Sequence, residues 1–318
     1  MQRARESSGY WSSTSSVSRF SCPLALPVPA HSYEPHPYTV AEQNFTIQRL
    51  QVKADNRHAV FLTHARESLA YHYERVPDDP RVTTRSHVEV TYGRRVLDPT
   101  LEPQDQATQR EPSIIYSERD VTNFVDLATD YRAPLACALR SFELTGLKLP
   151  AGQRRYAFAQ VATGGTDAAP IDYEQTPNSV ALQKRTIEHV RTLYRRDNFA
   201  GPLPLGEVQP RALPFETYKL AFTSGLVAEV YGGRVTDAML SDDAGYVHSE
   251  GDTHWWIPSG RTFYSLDPLY TEAQELAFAH AHFFLPCRFR DPFHSGLVST
   301  ERFVSHDHYD LLRLDNRL

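Results

Sequence analysis

From Pro37 onward apolar and polar positions alternate with a period of two, in short runs divided by polar and proline-containing turns. In SLAYHYERV, Leu69, Tyr71 and Tyr73 fall on one face and Ala70, His72 and Glu74 on the other, the pattern of a half-buried strand. HVEVTYGRRV repeats it with Val88, Val90 and Tyr92. PSIIYSE and CALRSFELTG predict two further strands, each closed by a polar or glycine turn. The Asp-Pro steps in DDP, LDPT, LDPL and RDPF start turns, because Asp bonds its own downstream backbone while Pro presets φ.

A few segments break this rhythm. EAQELAFAHAHFF (272–284) predicts a helix, dense in Ala and Leu with acidic residues in its first turn. LPFETYKLAFTSGLVAEVYGG (213–233) predicts another helical stretch, ending at Gly232-Gly233. KRTIEHVRTLYRRDN (184–198) fits two readings. Ile187, Val190, Leu193 and Tyr194 have helical spacing, but Glu188, Val190, Thr192 and Tyr194 also line one face of a strand. The expected class is mainly β with a few short helices. No exact internal repeat occurs; what recurs is strand, Pro or Gly turn, strand, with aromatics at strand ends.

Composition supports the strands and narrows the partners. The 318 residues are 41% hydrophobic and 23% charged, a globular balance, and 17 Tyr with 16 Phe against 2 Met favour pleated surfaces. A formal net charge of -6 argues against an electrostatic binder of nucleic acid or of an anionic membrane. No run approaches the roughly 18 apolar residues of a membrane helix. Residues 1–36, with the run SSTSSVS, are expected to form a Ser-rich, disordered extension ahead of a region at 37–318. CPLALPVPAHS has some signal-peptide character, but Pro23, Pro27 and Pro29 break its apolar stretch, so no convincing signal peptide is expected.

Candidate chemistry is thin. Cys22, Cys137 and Cys287 are odd in number and make no C-x-x-C pair. His280 with His282, and His306 with His308, form H-x-H pairs that on a strand would share a face and hold a metal, with Asp307, Asp310 or Asp252 completing the site. His280 and His282 fall in the predicted helix, however, where i and i+2 diverge by about 200°. Glu250 and Asp252 beside Trp255 and Trp256 suit a glycosidase carboxylate pair, or a sugar-binding platform. The plainer reading makes one of the two tryptophans an inward anchor, because strand neighbours face opposite ways. Nucleophile elbows and phosphate-cradling glycine motifs are absent from the sequence. No catalytic, cofactor-binding or metal-ligating residue is therefore expected.

The segments PYTVAEQNFTIQRLQ, NRHAVFLTHARESLAYHYERVPDDPR, DYRAPLACALRSFELTG, ALPFETYKLAFTSGLVAEVYGGRV, GYVHSEGDTHWWIPSGRTFYS and ELAFAHAHFFLPCRFRDPF, followed by HDHYDLL, stand in this order. Together they resemble the B component of the bacterial insecticidal toxin complexes, the Tc toxins, in its TcdB- and TcaC-like middle and C-terminal region. The likeness runs over 37–318. It implies a segment of an Rhs- or YD-repeat-like β-hairpin shell, a cocoon, whose first Tyr-Asp hairpin is expected at 283–314. The implied role is to encapsulate and help deliver a toxic C-component polypeptide. The A component would be reached only indirectly, through a β-propeller this sequence does not include. No direct membrane insertion, nucleic acid or cofactor is implied, and the implied place of action is extracellular, after synthesis in the cytoplasm.

The likeness also tilts 184–198 towards strand. It makes Trp255, Trp256, Tyr264, Phe289, Phe293, Tyr309 and Asp310 the expected structural anchors. Two departures stand out. TTRSHVEVTYGRR is shorter than the family's equivalent, and DPFHSG replaces a DPFGN turn, which moves Gly296 later. No further YD repeats, self-cleaving motif or toxic domain follow, so a closed shell is not expected from this polypeptide alone. Exposed strand edges would then invite pairing with another chain.

Overall fold

The computed structural model describes residues 15–19, 37–55, 57–73, 81–91, 95–102, 113–151, 153, 156–178, 180–295 and 298–317. The chain is mainly β, with short helices, and divides into two units. Unit 1 comprises 1–90, 97–116 and 143–167; unit 2 comprises 91–96, 117–142 and 168–318.

Unit 1 is dominated by an antiparallel hairpin of β2 (Thr39–Gln51) and β3 (Val60–His72), after β1 (Ser15–Arg19). Of the extension expected at 1–36, only β1 lies among the described residues, and it pairs antiparallel with β2. The hairpin register runs from Thr39 opposite His72 to Gln51 opposite Val60, with irregularities at Asn44/Phe45 and Arg49/Gln51. Leu69 is buried, and the rings of Tyr71 and Tyr73 lie 6.3 Å apart, as the alternation of that segment requires. β4 (Arg81–His87) pairs with β3, and then come β5 (Glu89–Thr91) and β6 (Arg95–Glu102). Arg85 stands opposite Leu101. The DDP turn and the centre of YGRR lie outside the described residues.

PSIIYSE forms part of β7 (Ser113–Val121), and α1 (Phe158–Asp167) packs on its buried Tyr116. Gly165 permits this approach: a Cβ there would sit 2.6 Å from the Tyr116 ring. Periodicity did not announce this helix, because its FAQVATGGTD sequence is poor in strong helix formers.

In unit 2, β8 (Val125–Asp126) and β9 (Tyr131–Arg132) form a small ladder before β10 (Ala136–Thr145), the predicted CALRSFELTG strand. β11 (Ala169–Ile171) runs parallel to β12 (Gln183–Tyr194), so the ambiguous 184–198 segment is strand through Tyr194. β12 pairs antiparallel with β13 (Pro214–Phe222), and β13 with β14 (Trp255–Pro258). The 213–233 stretch thus splits: strand first, then α2 (Ser224–Tyr231), capped by Thr223 and closed at Gly232 as expected. Val125, Cys137, Tyr194, Leu203 and Val208 form one core cluster.

A four-stranded antiparallel sheet follows in the order β15 (Arg261–Phe263), β16 (Arg288–Arg290), β17 (Glu301–His306) and β18 (Arg313–Arg317). Between β15 and β16 lies α3 (Glu272–Ala281), the predicted helix. Thr271 and Gln274 close a reciprocal capping box at its start. The region expected as a single Tyr-Asp hairpin holds two successive turns. In the first, Asp291 accepts the Phe293 N–H at 2.8 Å; Gly296 lies outside the described residues. In the second, Asp307 accepts from Leu311 and Leu312 while Asp310 takes a left-handed φ of 56°.

Candidate functional site

The sequence singled out Glu250, Asp252 and the Trp255-Trp256 pair. Both tryptophans are buried, at 5% and 0% exposure, which corrects the picture of one inward and one outward ring. Strand neighbours do face opposite ways, but each face here is covered. Trp255 lies against the tilted ring of His248 at 4.2 Å, while Trp256 meets His189 at 4.8 Å and carries the Arg191 guanidinium 4.1 Å over its ring. Enclosed rings make no sugar platform.

Asp252 is committed to the same cluster. Its Oδ1 accepts the Trp256 indole N–H at 2.9 Å and its Oδ2 pairs with Arg191 at 2.9 Å. Glu250, exposed and at a φ of 54°, is absent from these bonds. A carboxylate bonded to an indole and a guanidinium fixes a side chain rather than serving as a free acid. Burial, with Arg191 adding to it, lowers the His189 pKa to about 4, so this imidazole is neutral at physiological pH.

The H-x-H pairs do not converge. His280 faces Arg211 (Nε2 to Nη2, 3.2 Å), whereas His282 bonds Asp310 at 3.0 Å and stacks on Phe278 at 4.1 Å. His306 lies on β17 opposite Arg313, and His308 sits in the following turn against Tyr309. Among the described residues, no group of three or more His, Cys, Asp or Glu side chains is placed to hold a metal ion. Cys137 and Cys287 are buried thiols whose pKa values burial raises, that of Cys287 to about 11, which disfavours the nucleophilic thiolate. Cys22 lies outside the described residues.

What the sequence did not reveal is a set of buried arginine–glutamate–aromatic clusters. Arg195, just past β12, meets Glu275 of α3 in a two-pronged pair at 3.1 and 2.8 Å. Glu275 Oε1 also accepts the Tyr264 N–H at 2.8 Å, and Arg195 caps the Phe199 ring at 4.1 Å. Phe199, Leu213, Tyr264 and Ala279 pack around them. Glu275 therefore does not serve the helix dipole from the surface, as its first-turn position suggested; it docks the helix. Burial lifts the Tyr264 phenol to about 12.

A second cluster joins Arg288 and Arg290 to one Oε1 of Glu301, at 2.6 and 2.8 Å, with both guanidiniums over Phe263. Burial works against the Glu301 carboxylate, but the two arginine bonds outweigh it and hold its pKa below the usual value. Of the expected anchors, Trp255, Trp256 and Tyr264 are buried and Asp310 is tied to His282. Phe289, Phe293 and Tyr309 are exposed at 39%, 59% and 71%, a correction. They stand on a strand or at a turn, where Phe293 meets the edge of Gly245 and Tyr309 the ring of His308.

Residues 29–128 match the family described as insecticide toxin TcdB middle/C-terminal region. No curated protein matches the chain. The matched stretch takes in β2 to β8, and over that stretch the chain is similar to the TcdB middle/C-terminal region. The arginine–aromatic clusters lie beyond it. Among the described residues no helix is long and apolar enough to cross a membrane.

Proposed function

We propose that the chain is a non-enzymatic structural piece of a Tc-type toxin complex, part of the shell that encloses a toxic C-component polypeptide and helps deliver it. The observation that carries this reading is the match of residues 29–128 to the TcdB middle/C-terminal family. Successive antiparallel hairpins, β2 with β3 in unit 1 and β15 through β18 in unit 2, suit a wall built by repetition. Asp252 and Asp310, which first suggested chemistry, are engaged in holding side chains in place, which supports a structural role. The C component is the direct partner in this reading. The A component is reached indirectly through the propeller of a B component, and the assembly acts outside the producing cell.

Co-expression with a C component, followed by gel filtration and limited proteolysis, tests the proposal. A co-eluting, protease-resistant assembly is expected. A chain that stays monomeric and folded while ignoring the C component would overturn it.

A further inference from the structure

Across one face of the four-stranded sheet runs a row of three charged residues. The register sets Arg261 opposite Arg290, and Arg290 opposite Glu301. Residues directly opposite in an antiparallel pair have Cβ atoms about 4.5–5.5 Å apart, and like charges so placed repel. Gly260 fixes the approach: its φ is 82°, and a Cβ there would collide with the Arg290 carbonyl.

Countercharge at this row is short. Glu301 is shared between Arg288 and Arg290. Glu216 lies 3.8 Å from Arg261 Nε, and its Oε2 already accepts the Tyr218 hydroxyl at 2.6 Å. Three guanidiniums therefore divide two carboxylates. Among the described residues no hydrogen bond reaches the Nη atoms of Arg261 or Arg290. Their planes are nonetheless held, Arg261 over Phe215 at 4.7 Å and Arg290 over Phe263 at 4.8 Å.

Both arginines line a cavity of about 690 Å³ whose wall includes Phe215, Phe263 and Tyr270. That is within the span of ligand sites, roughly 300–1,000 Å³. At its back the Arg195–Glu275 pair is internally neutral, and Glu272 on the rim is exposed, where water and salt screen it.

We propose that Arg261 and Arg290 form a carboxylate-binding site that takes the acidic side chain of a peptide. The planar guanidinium fork matches a carboxylate geometrically, and stacking on Phe215 and Phe263 pre-orients both forks before the ligand arrives. The aromatic wall takes apolar neighbours in the peptide, which a free small anion does not supply. This inference stands apart from the shell reading, since it concerns a site outside the matched stretch.

The probe is the blocked tripeptide acetyl-Phe-Glu-Phe-amide, titrated calorimetrically into the full chain beside its Gln counterpart and acetate. Saturable binding of the Glu peptide is expected, at least tenfold weaker for the Gln peptide, for acetate and for Arg261→Gln. Arg302→Gln, which removes a charge from the opposite face of the same sheet, should bind as the parent does. Removing Arg261 relieves a like-charge pair but also takes the cation from beside buried Glu216, so the urea midpoint of Arg261→Gln should fall modestly while the chain stays folded under the titration conditions. Arg261→Lys keeps the charge but loses the fork, and should also weaken binding. No saturable binding by the parent chain, equal binding of the Gln peptide or acetate, or binding unaffected by Arg261→Gln would each overturn the proposal.

Discussion

In the β2–β3 hairpin of unit 1, Phe45, Ile47 and Phe61 stand on one strand face and remain exposed. In unit 2, Phe199 and Trp256 are enclosed, and each carries a guanidinium 4.1 Å over its ring. Both regions are strand-based and rich in aromatics, yet their side chains are held by different forces. The hairpin is tied by a long backbone ladder from Thr39/His72 to Gln51/Val60, interrupted at two irregularities, so its outer face is held without a covering layer. The clusters of unit 2 join elements distant in sequence, such as Arg195 and Glu275 at a separation of 80, through side-chain bonds. Truncating a side chain should therefore cost little in the first region and much in the second.

The largest test of that contrast is Trp256→Ala against Phe61→Ala. Removing the fully buried indole should destabilise the protein by about 3–5 kcal/mol, read from urea unfolding, and it also strips Asp252 of a donor. Phe61→Ala, at 52% exposure, should stay within about 0.5 kcal/mol. Similar losses for both would dissolve the distinction.

Next comes Glu275→Gln, which leaves the Arg195 charge buried without its counter-ion; an effect of about 3–5 kcal/mol is expected. Replacing both partners with apolar residues, Arg195→Met with Glu275→Leu, should restore most of it. A double variant as unstable as the single one would mean that the pair does more than cancel its own desolvation.

A smaller effect separates the regions by pH. The folded pKa of His189 is about 4, below its ordinary 6.5. Between those values the unfolded chain binds a proton that the folded chain refuses, so stability falls as pH drops from about 6.5 to about 4. The slope should flatten in His189→Gln, with urea midpoints across that window as the readout. An unchanged slope would place the acid sensitivity elsewhere. Smallest of all, Tyr309→Ala and Phe293→Ala should shift the midpoint little, because both rings are exposed; a loss comparable with Trp256→Ala would restore them as anchors.

Much of the local structure was legible. Period-two alternation located β3, β7 and β10, while Ala and Leu density with an acidic first turn located α3. Two apolar periods coexist in 184–198, so only pairing with β11 and β13 decided for strand. α1 was missed because its glycines, poor for a helix, are there for close contact, Gly165 with Tyr116 and Gly164 with Leu147. The candidate site was legible only in part. Trp255 and Trp256 drew notice, but Asp252 looked like an acid for chemistry until its indole and guanidinium partners were placed.

Alternation states which residues share a strand face, and turn residues state where a strand stops; both are local consequences of backbone geometry, so the sequence by itself determined a mainly β chain of short hairpins. Alternation is silent on what covers each face. For that reason Phe289 and Trp256, both strand aromatics, ended on opposite sides of the burial divide. Charge is equally silent on its partner: Arg195 and Arg261 look alike in the sequence. Only the tertiary structure enclosed one with Glu275 and set the other beside Arg290, because Coulomb energy and desolvation depend on distance in space and not along the chain.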